Sequence, residues 1–375
     1  MKIAFLVPMI APYRVSFFEK LAELVQGDVC VFHGVKNLED GRPPFTGPLS
    51  CRCEGFPMRS ISIGGMEVCF YPGLLMSLKS YAPDVLILPD HPSSLTCWRA
   101  IHMMKRRGKS VVIWACGWDG KHVKGILRAA KRSVLRRFLG RADHVIAYST
   151  RAQKKLVGLG YPEARIAIAY NGIELDGLNK DRNSIMAAAR ELRKSDKKVI
   201  LYVGAMLAEK RVPFLLDAFD RLQRSCSGLE LWLVGDGPAR LQMEAAVNDR
   251  KIRNVVFWGR IIDDVNKFFA AADVFVLPGA GGLAINQAMY SGAIPVVGRA
   301  DGTEDDLVID GETGFRFEYD SIDSLCHAIS QVLGLSPMRR TWMSRAGKRI
   351  VREKSNVDAM VCVFREVISS VPLRS

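Results

Sequence analysis

The chain has 375 residues, of which 49% are hydrophobic and 25% are charged, and its formal net charge is +14. This length exceeds one ordinary domain and suits two domains of about 150–200 residues each, with a globular composition. No apolar run approaches the roughly 18 residues that a membrane-spanning helix needs, so no such helix is expected.

The first predicted element is a buried strand over residues 2–7. A signal peptide is the alternative, but the apolar stretch is short, is interrupted by Pro8 and Pro12, and has no small-residue cleavage site. The nine cysteines are scattered, odd in number and without zinc-ligand spacing, as in reduced proteins. We therefore expect a cytoplasmic protein that holds no metal.

Short runs rich in Val, Ile and Leu alternate with helical patterns along the chain, which predicts parallel sheets built from βαβ units. The predicted strands of a first series are 2–7, 28–33, 85–89, 111–114, 144–148 and 166–169. Those of a second series are 198–203, 229–234, 254–257, 274–277, 294–297 and 314–317. The Gly- and Pro-containing stretch 36–72 indicates loops and an irregular excursion.

Two such series in tandem predict an α/β protein with two Rossmann-like, doubly wound domains that face a central cleft. The N-terminal domain covers residues 1–175, and a charge-rich linker covers 176–197. The second domain covers 198–350, and the C-terminal segment 351–375 carries a last amphipathic helix. This helix has an apolar stripe that could pack on either domain.

A glycine-rich turn at residues 279–282 leads directly into a predicted helix that begins near Leu283. Small residues allow the backbone to approach a ligand closely, and a helix N-terminus attracts a pyrophosphate. An ordinary tight turn is the alternative reading. The turn is not a Walker loop, since no Gly-Lys-Ser/Thr follows, and no G-x-G-x-x-G follows the first strand, which disfavours a dehydrogenase.

Further motifs follow the strands of the second series, at the edge where open α/β sheets bind ligands. Gly204 follows the first of these strands, and Gly235-Asp-Gly237 follows the second. Lys210 lies about seven residues beyond the first strand, from where an ammonium could reach a diphosphate in the cleft. A solvated lysine at a helix start is the alternative.

In order and spacing, these motifs resemble glycosyltransferase family 4, also called the group 1 glycosyl transferases, over nearly the whole chain. Residues 8–18, 141–149 and 169–173 resemble the N-terminal domain of that family, and five segments of the second half resemble its donor site. The resemblance implies a GT-B fold, a nucleotide-sugar donor, retention of anomeric configuration and no obligatory metal or other cofactor. It also implies that the last helix crosses back to the N-terminal domain.

By this resemblance, Lys210 contacts the donor diphosphate, and Gln287 can hydrogen-bond a ribose hydroxyl. The backbone around Gly259, Arg260 and Ile261 would hold the base. The phosphate and sugar would lie on a four-residue cradle, formed by Gly281, Gly282, Leu283 and Ala284. Gly204 and Gly235 complete the expected donor side.

The sequence departs from the family pattern in three respects. The first Glu of the family's Glu-x(7)-Glu pair falls on Gly279, and its second falls on Gln287. Ala205 replaces an arginine after the first strand of the second half, and 115–117 lack the expected histidine. Two alternatives therefore stay open: a non-catalytic sugar-nucleotide-binding partner of a glycan assembly complex, and another GT-B enzyme such as a nucleotide-sugar epimerase.

On the acceptor side, the resemblance points to Arg14 in the first loop. Asp90 and His91 follow a predicted strand and are candidates to line the cleft, although a turn histidine is an equally simple reading. Asp119 and His122 are candidates for the same reason, after the strand that ends near Trp114. The expected acceptor is a glycan or a lipid-linked sugar, as in cell-envelope polysaccharide and lipopolysaccharide biosynthesis. The sequence does not specify the sugar, the base or the oligomeric state.

The positive charge is concentrated in the first half, where residues 1–175 hold 25 Lys and Arg against 13 Asp and Glu. A predicted helix over 121–141 has an apolar face and a basic face. Four cations of the basic face are candidates for contact with an anionic membrane, namely Lys124, Arg128, Lys131 and Arg132. A solvated helix face is the alternative, and the absence of a recognisable nucleic-acid-binding motif disfavours nucleic acid.

Overall fold

The computed structural model describes residues 1–372 except 26, 36–44, 46, 64–65, 116–125, 262 and 301. The side chains of residues 63, 66 and 126–128 also lie outside the description. The chain divides into two compact units. Unit 1 consists of Met1–Tyr170 together with Val357–Ser375, and unit 2 consists of Asn171–Asn356.

Strands and helices alternate through the first part of the chain. In chain order they are β1 (Lys2–Val7), α1 (Val15–Leu24), β2 (Asp28–Gly34), β3 (Arg52–Phe56), β4 (Arg59–Ile63), β5 (Met66–Phe70), α2 (Leu74–Tyr81), β6 (Val85–Pro89), α3 (Leu95–Arg106), β7 (Ser110–Ala115), α4 (Ile126–Leu139), β8 (His144–Ala147), α5 (Thr150–Gly158) and β9 (Ile166–Ile168).

The same alternation continues to the C-terminus. The elements are α6 (Asp176–Lys180), α7 (Arg182–Leu192), β10 (Lys198–Val203), α8 (Val212–Ser225), β11 (Leu229–Val234), α9 (Arg240–Asp249), β12 (Val255–Gly259), α10 (Asn266–Ala271), β13 (Val274–Leu277), α11 (Ala284–Ser291), β14 (Ile294–Val297), α12 (Thr303–Leu307), β15 (Phe315–Arg316), α13 (Ile322–Leu333), α14 (Pro337–Lys354) and α15 (Val357–Ser370).

Unit 1 is built on a seven-stranded sheet with the order β3-β2-β1-β6-β7-β8-β9, in which all neighbours are parallel. Helices cover both faces, so the central strands are continuous apolar runs. Residues 3–7 of β1 are buried throughout, for example. The chain order reverses between β1 and β6, which is the topological switch point of this sheet.

Unit 2 repeats this plan with a six-stranded parallel sheet in the order β12-β11-β10-β13-β14-β15. Its switch point lies between β10 and β13. The apolar core contains buried residues from every strand except β12, whose half-buried residues pack against it, and it includes the fully buried Trp232, Phe219 and Phe275. Two parallel, doubly wound units confirm the predicted fold class.

The last helix, α15, belongs to unit 1. Its apolar stripe is buried at Val357, Met360, Val361, Phe364, Val367 and Ile368. The ring of Phe364 lies 4.8 Å from that of Phe17 on α1 and 4.9 Å from that of Trp114 on β7, measured between ring centres. The side chains of this helix thus form part of the core over the sheet of unit 1.

Two parts of the predicted organisation differ from the structure. The sequence predicts loops and an irregular excursion over 36–72, but the described part of this stretch contains β3 and the antiparallel hairpin of β4 and β5. Residues 176–197 were expected to be a linker, but they form α6 and α7 within unit 2. Helix α7 contributes the buried Ala189 to the core of this unit, because its apolar positions recur at helical spacing.

Among the described residues, none of the helices is both long enough and apolar enough to cross a membrane.

Candidate functional site

The glycine-containing motifs of the second half meet at the carboxyl edge of the unit 2 sheet. Gly204 follows β10, and Gly279 closely follows β13, so these two positions flank the switch point. Gly235 and Gly259 lie at the ends of the next two strands. In open α/β sheets this edge is where ligands bind.

The ends of β10 and β11 approach each other too closely for a side chain. A Cβ atom on Gly235 would lie 1.9 Å from the carbonyl oxygen of Gly204, and the φ angle of Gly235 is 138°. Only glycine fits such a position. The phenol of Tyr202 donates a hydrogen bond of 2.8 Å to the Ala205 carbonyl, and burial raises the pKa of this phenol above its usual value. The buried Tyr202 side chain therefore holds the turn after β10 in place through this hydrogen bond.

The glycine turn and the loop that carries Lys210 are joined directly. The amide of Ala280 donates to the carbonyl of Glu209 at 2.8 Å. In addition, Nζ of Lys210 donates hydrogen bonds to the carbonyl oxygens of Ala280 and Gly281, each at 2.8 Å. The structure thus brings Lys210 and the glycine turn together, and the ammonium is held at the turn.

Gly279 is required by this contact. A Cβ atom at this position would lie 2.2 Å from the carbonyl oxygen of Glu209 and 2.8 Å from the carbonyl carbon of Lys210. Such distances are impossible without displacement of the backbone. The family's glutamate therefore cannot occupy position 279 in this arrangement.

Helix α11 begins at Ala284, immediately after the turn, with Leu283 as its N-cap. The first backbone N–H groups of a helix have no partner within it, and the helix dipole makes this end positive. A Cβ atom placed on Gly282 would meet nothing within 4 Å, so the space beside this residue is open. The predicted cradle of Gly281, Gly282, Leu283 and Ala284 therefore offers donors and room at one helix end.

The next turn of α11 holds Gln287 and its neighbour Asn286, which face different surroundings. Gln287 is half-buried, whereas Asn286 is fully buried. The amide nitrogen of Asn286 lies 2.9 Å from the carbonyl oxygen of Asn171 and 2.6 Å from the hydroxyl oxygen of Ser355. This anchoring role was not predicted, since a single asparagine in an apolar helix gives no indication of its partner.

At the end of β12, Gly259 accepts a hydrogen bond of 2.7 Å from the amide of Gly235. Arg260 is exposed and Ile261 is half-buried. Arg240 was not predicted at this position, but its guanidinium nitrogen would lie 3.2 Å from a Cβ atom on Gly259. The side chain of Arg240 is oriented by Glu244, with 2.7 Å between Nε and the carboxylate oxygen. A second cation therefore lies at the expected base-binding strand.

In unit 1, Asp90 and His91 follow β6 at the switch point of the sheet and form a tight turn. The amide of Asp90 lies 3.3 Å from the carbonyl oxygen of Trp114, and the amide of Ser94 donates to the carbonyl of His91 at 3.0 Å. Burial lowers the pKa of His91, and the carboxylate of Glu67 opposes part of this effect. Both candidates thus lie at the carboxyl edge, with His91 favoured in its neutral form.

Arg14, the candidate in the first loop, is buried. Its guanidinium lies over the ring of Trp114, with 4.3 Å between Cζ and the ring centre, and donates to the phenol oxygen of Tyr148 at 3.3 Å. Arg14, Trp114 and Tyr148 all lie at the carboxyl ends of unit 1 strands or just beyond them.

Of the remaining predicted residues, Asp119, His122 and Lys124 lie outside the described residues. Arg128 belongs to α4, but its side chain is not described. Lys131 and Arg132 are exposed on α4, as expected of a basic face. The predicted apolar face is only partly covered, because Phe138 is buried whereas Val134 is 45% exposed and Ala130 is exposed.

Two Rossmann-like units, one with a glycine turn before a helix at its switch point, define a GT-B fold. The family model described as "Glycosyltransferase Family 4" matches residues 19–176, and the one described as "Glycosyl transferases group 1" matches residues 197–334. The chain therefore belongs to the group 1, or family 4, glycosyltransferases, which confirms the predicted family.

The chain is 25% identical over 241 residues to the GDP-mannose-dependent alpha-(1-6)-phosphatidylinositol monomannoside mannosyltransferase of Mycolicibacterium smegmatis, covering 61% of this chain and 63% of the relative. It is 26% identical over 181 residues to the lipopolysaccharide core biosynthesis glycosyltransferase LpsE of Rhizobium meliloti, covering 48% and 52%. These matches span about half to three fifths of the relatives' lengths.

The fold is also that of a solved structure, Anabaena HepE in complex with UDP. The TM-score is 0.75 at 19% sequence identity, and the superposition covers 99% of this chain and 100% of HepE. At this identity the likeness establishes the shared fold and nothing about the ligand of this chain.

Proposed function

We propose that this protein is a retaining glycosyltransferase that transfers a sugar from a nucleotide-sugar donor to a glycan or lipid-linked acceptor. The observation that carries the proposal is the contact between Lys210 and the glycine turn before α11. This contact places an ammonium beside the N-terminus of a helix, at the switch point of unit 2. Two sources of positive potential thus converge where a donor diphosphate would bind.

The chemical contribution of this site would be to stabilise the departing nucleoside diphosphate. Negative charge grows on the diphosphate as the bond from its oxygen to the anomeric carbon breaks. Lys210 and the N–H groups of residues 282–284 can stabilise this charge without a metal ion. Gln287 and Arg240 extend the polar surface towards the nucleoside. Gly279 provides no carboxylate for the sugar, so sugar recognition would depend on other groups.

The names of the relatives support a role in cell-envelope glycan assembly. One relative is named for transfer to a phosphatidylinositol mannoside, and another for lipopolysaccharide core biosynthesis. For this chain we propose a related acceptor class, with the protein acting at the cytoplasmic face of a membrane.

A thermal-shift screen with UDP, GDP, ADP and their sugar conjugates tests the donor site. A ligand that binds only the folded state must raise its stability, by about 2.7 kcal/mol at a ligand concentration of 100 times Kd. We expect one base to give a clear shift, and the same shift with a chelator present, since no metal is required. No shift with any nucleotide at millimolar concentration would contradict the proposed site. A shift without turnover over a broad acceptor panel would instead support the non-catalytic binding protein.

Helix α4 carries the features expected of a peripheral membrane contact. Lys131 and Arg132 are exposed cations, and Val134 and Ala130 are exposed apolar residues on the same helix. Near an anionic surface each cation is worth roughly 1 kcal/mol, and this attraction is screened by salt. We therefore propose that α4 contacts anionic lipid.

Vesicle sedimentation tests this contact. Vesicles with phosphatidylglycerol should bind the protein, and the double variant Lys131→Gln/Arg132→Gln should bind several-fold more weakly. The matched control is Arg345→Gln/Arg349→Gln, which removes two exposed cations from α14 of unit 2. Equal loss in both variants, or binding that does not change with salt, would rule out a specific role for α4.

A further inference from the structure

Arg14 is a buried cation that has no counter-ion among the described residues. Its exposed fraction is 8%, and no carboxylate among the described residues pairs with it. Within the described part of the chain, the guanidinium has two hydrogen-bond partners, Sδ of Met360 at 3.4 Å and the phenol oxygen of Tyr148 at 3.3 Å. A thioether is a weak acceptor, whereas a guanidinium has five N–H donors to satisfy. Buried charges are normally paired, because removal of a lone charge from water is costly.

The indole ring of Trp114, over which this guanidinium lies, carries a second donor without a partner among the described residues. Trp114 is 6% exposed, and its Nε1–H has no hydrogen-bond partner among the described residues. The rest of the ring packs in an ordinary way, against Phe17 and Phe364. Buried polar groups in proteins are hydrogen-bonded in the large majority of cases. The described residues therefore leave the indole N–H without an acceptor and the adjacent guanidinium only partly satisfied.

These donors lie at the edge of the sheet where ligands bind in open α/β folds. Arg14 lies shortly after β1, Trp114 lies near the end of β7, and Tyr148 directly follows β8. They thus share the carboxyl edge of the unit 1 sheet, close to its switch point. Tyr13 lies beside the guanidinium, with 5.4 Å between Cζ of Arg14 and its ring centre, and is 45% exposed. The cation is therefore close to the surface.

We infer that Arg14 and Trp114 form an anion-binding site that holds a phosphate or carboxylate group of the acceptor. A guanidinium matches either group with paired hydrogen bonds, and the indole N–H can donate one more. The bound anion would supply the counter-ion that the described residues do not provide. The inference rests on the proposed function only in naming the bearer of the anion an acceptor.

The competing explanation is that Arg14 serves packing alone, through its contact with the face of Trp114. Cation–aromatic contacts do stabilise proteins, but they provide no acceptor for the remaining guanidinium N–H groups or for the indole N–H. The two explanations differ in one observable. A packing role predicts no dependence of stability on added anions, whereas an anion site predicts stabilisation by a ligand that binds the folded state.

The test measures the thermal stability of the full chain with inorganic phosphate or glucuronate added at constant ionic strength, with chloride as the reference anion. We expect a saturable rise of the melting temperature in the unmodified protein. The half-saturating concentration should rise at least tenfold in Arg14→Met and several-fold in Trp114→Phe, which keeps a ring but loses the N–H. The phosphate and glucuronate arms show which anionic group the site prefers.

Two further variants separate this site from other anion sites. Lys210→Ala should keep the response to phosphate, because the donor site is distinct, and Arg14→Met should keep the response to nucleotide. Asp119→Asn should also keep the phosphate response. The inference is overturned if the unmodified protein does not respond, if Arg14→Met responds equally, or if a response appears only in Asp119→Asn, which would make Asp119 the counter-ion.

Discussion

At the level of single residues, Gly279 and Lys210 are explained by the same contact. The loop that carries Lys210 passes so close to Gly279 that the Glu209 carbonyl fills the space of a Cβ atom. The close approach also lets the ammonium reach the carbonyl oxygens of the glycine turn. With the lysine held in this way, position 279 has no room for a side chain, so no carboxylate can stand there.

The substitution Lys210→Ala should weaken nucleotide binding by about tenfold or more and remove most turnover. Hydrogen bonds to a charged group contribute about 1.5–3 kcal/mol, and the substitution removes one such group from the diphosphate. Calorimetry with the nucleotide identified by thermal shift measures the affinity, and release of nucleoside diphosphate measures turnover.

Arg211 is the matched control for loss of one positive charge next to the same loop. Its guanidinium pairs with Asp320 at 2.8 Å and lies over the ring of Tyr319, away from the glycine turn. Arg211→Ala should therefore change nucleotide affinity by less than Lys210→Ala. An equal loss in the two variants would indicate a general effect of charge rather than a contact with the diphosphate.

At the level of elements, apolar patterns predicted most strands well because central parallel strands are buried on both faces. The missed strands β3, β4 and β5 have few fully buried residues, and exposed strands give weak periodic signals. Helix α7 was mistaken for a linker because its charged residues dominate the local composition. Only tertiary contacts reveal that it covers part of the unit 2 core.

In the candidate site, too, features set by the local sequence could be predicted, whereas features set by tertiary contacts could not. The glycine turn and Lys210 could be predicted because both follow strands whose ends must share one sheet edge. The hydrogen bonds of Asn286 to Asn171 and Ser355 could not, since the partners are distant in sequence. The burial of Arg14 was equally hidden, because it depends on α15, whose Met360 contacts its guanidinium.

At the level of the whole molecule, each unit has its own parallel sheet and its own switch point, and each places its candidate residues there. Unit 2 gathers Lys210 and the glycine turn, which suits a donor diphosphate. Unit 1 has Arg14 and His91 at its carboxyl edge, on the side for which an acceptor is proposed. The chain contributes to unit 1 twice, because α15 returns to it after unit 2 is complete. The apolar stripe of α15 predicted a packed helix but left open which unit it would join.

This return makes the C-terminal helix a structural requirement for unit 1. Phe364 is fully buried between Phe17 and Trp114, so Phe364→Ala should destabilise unit 1 by about 3–5 kcal/mol. For a unit of this size the loss should lower its melting temperature by on the order of 10 °C. Scanning calorimetry in the presence of nucleotide measures this loss. The melting temperature should fall for the unfolding transition that nucleotide does not stabilise, which is the transition of unit 1.

Phe364→Leu, which keeps most of the apolar volume, should lower this melting temperature much less. If Phe364→Ala left that transition unchanged, or lowered the nucleotide-sensitive one by the same amount, the helix would not be part of the unit 1 core.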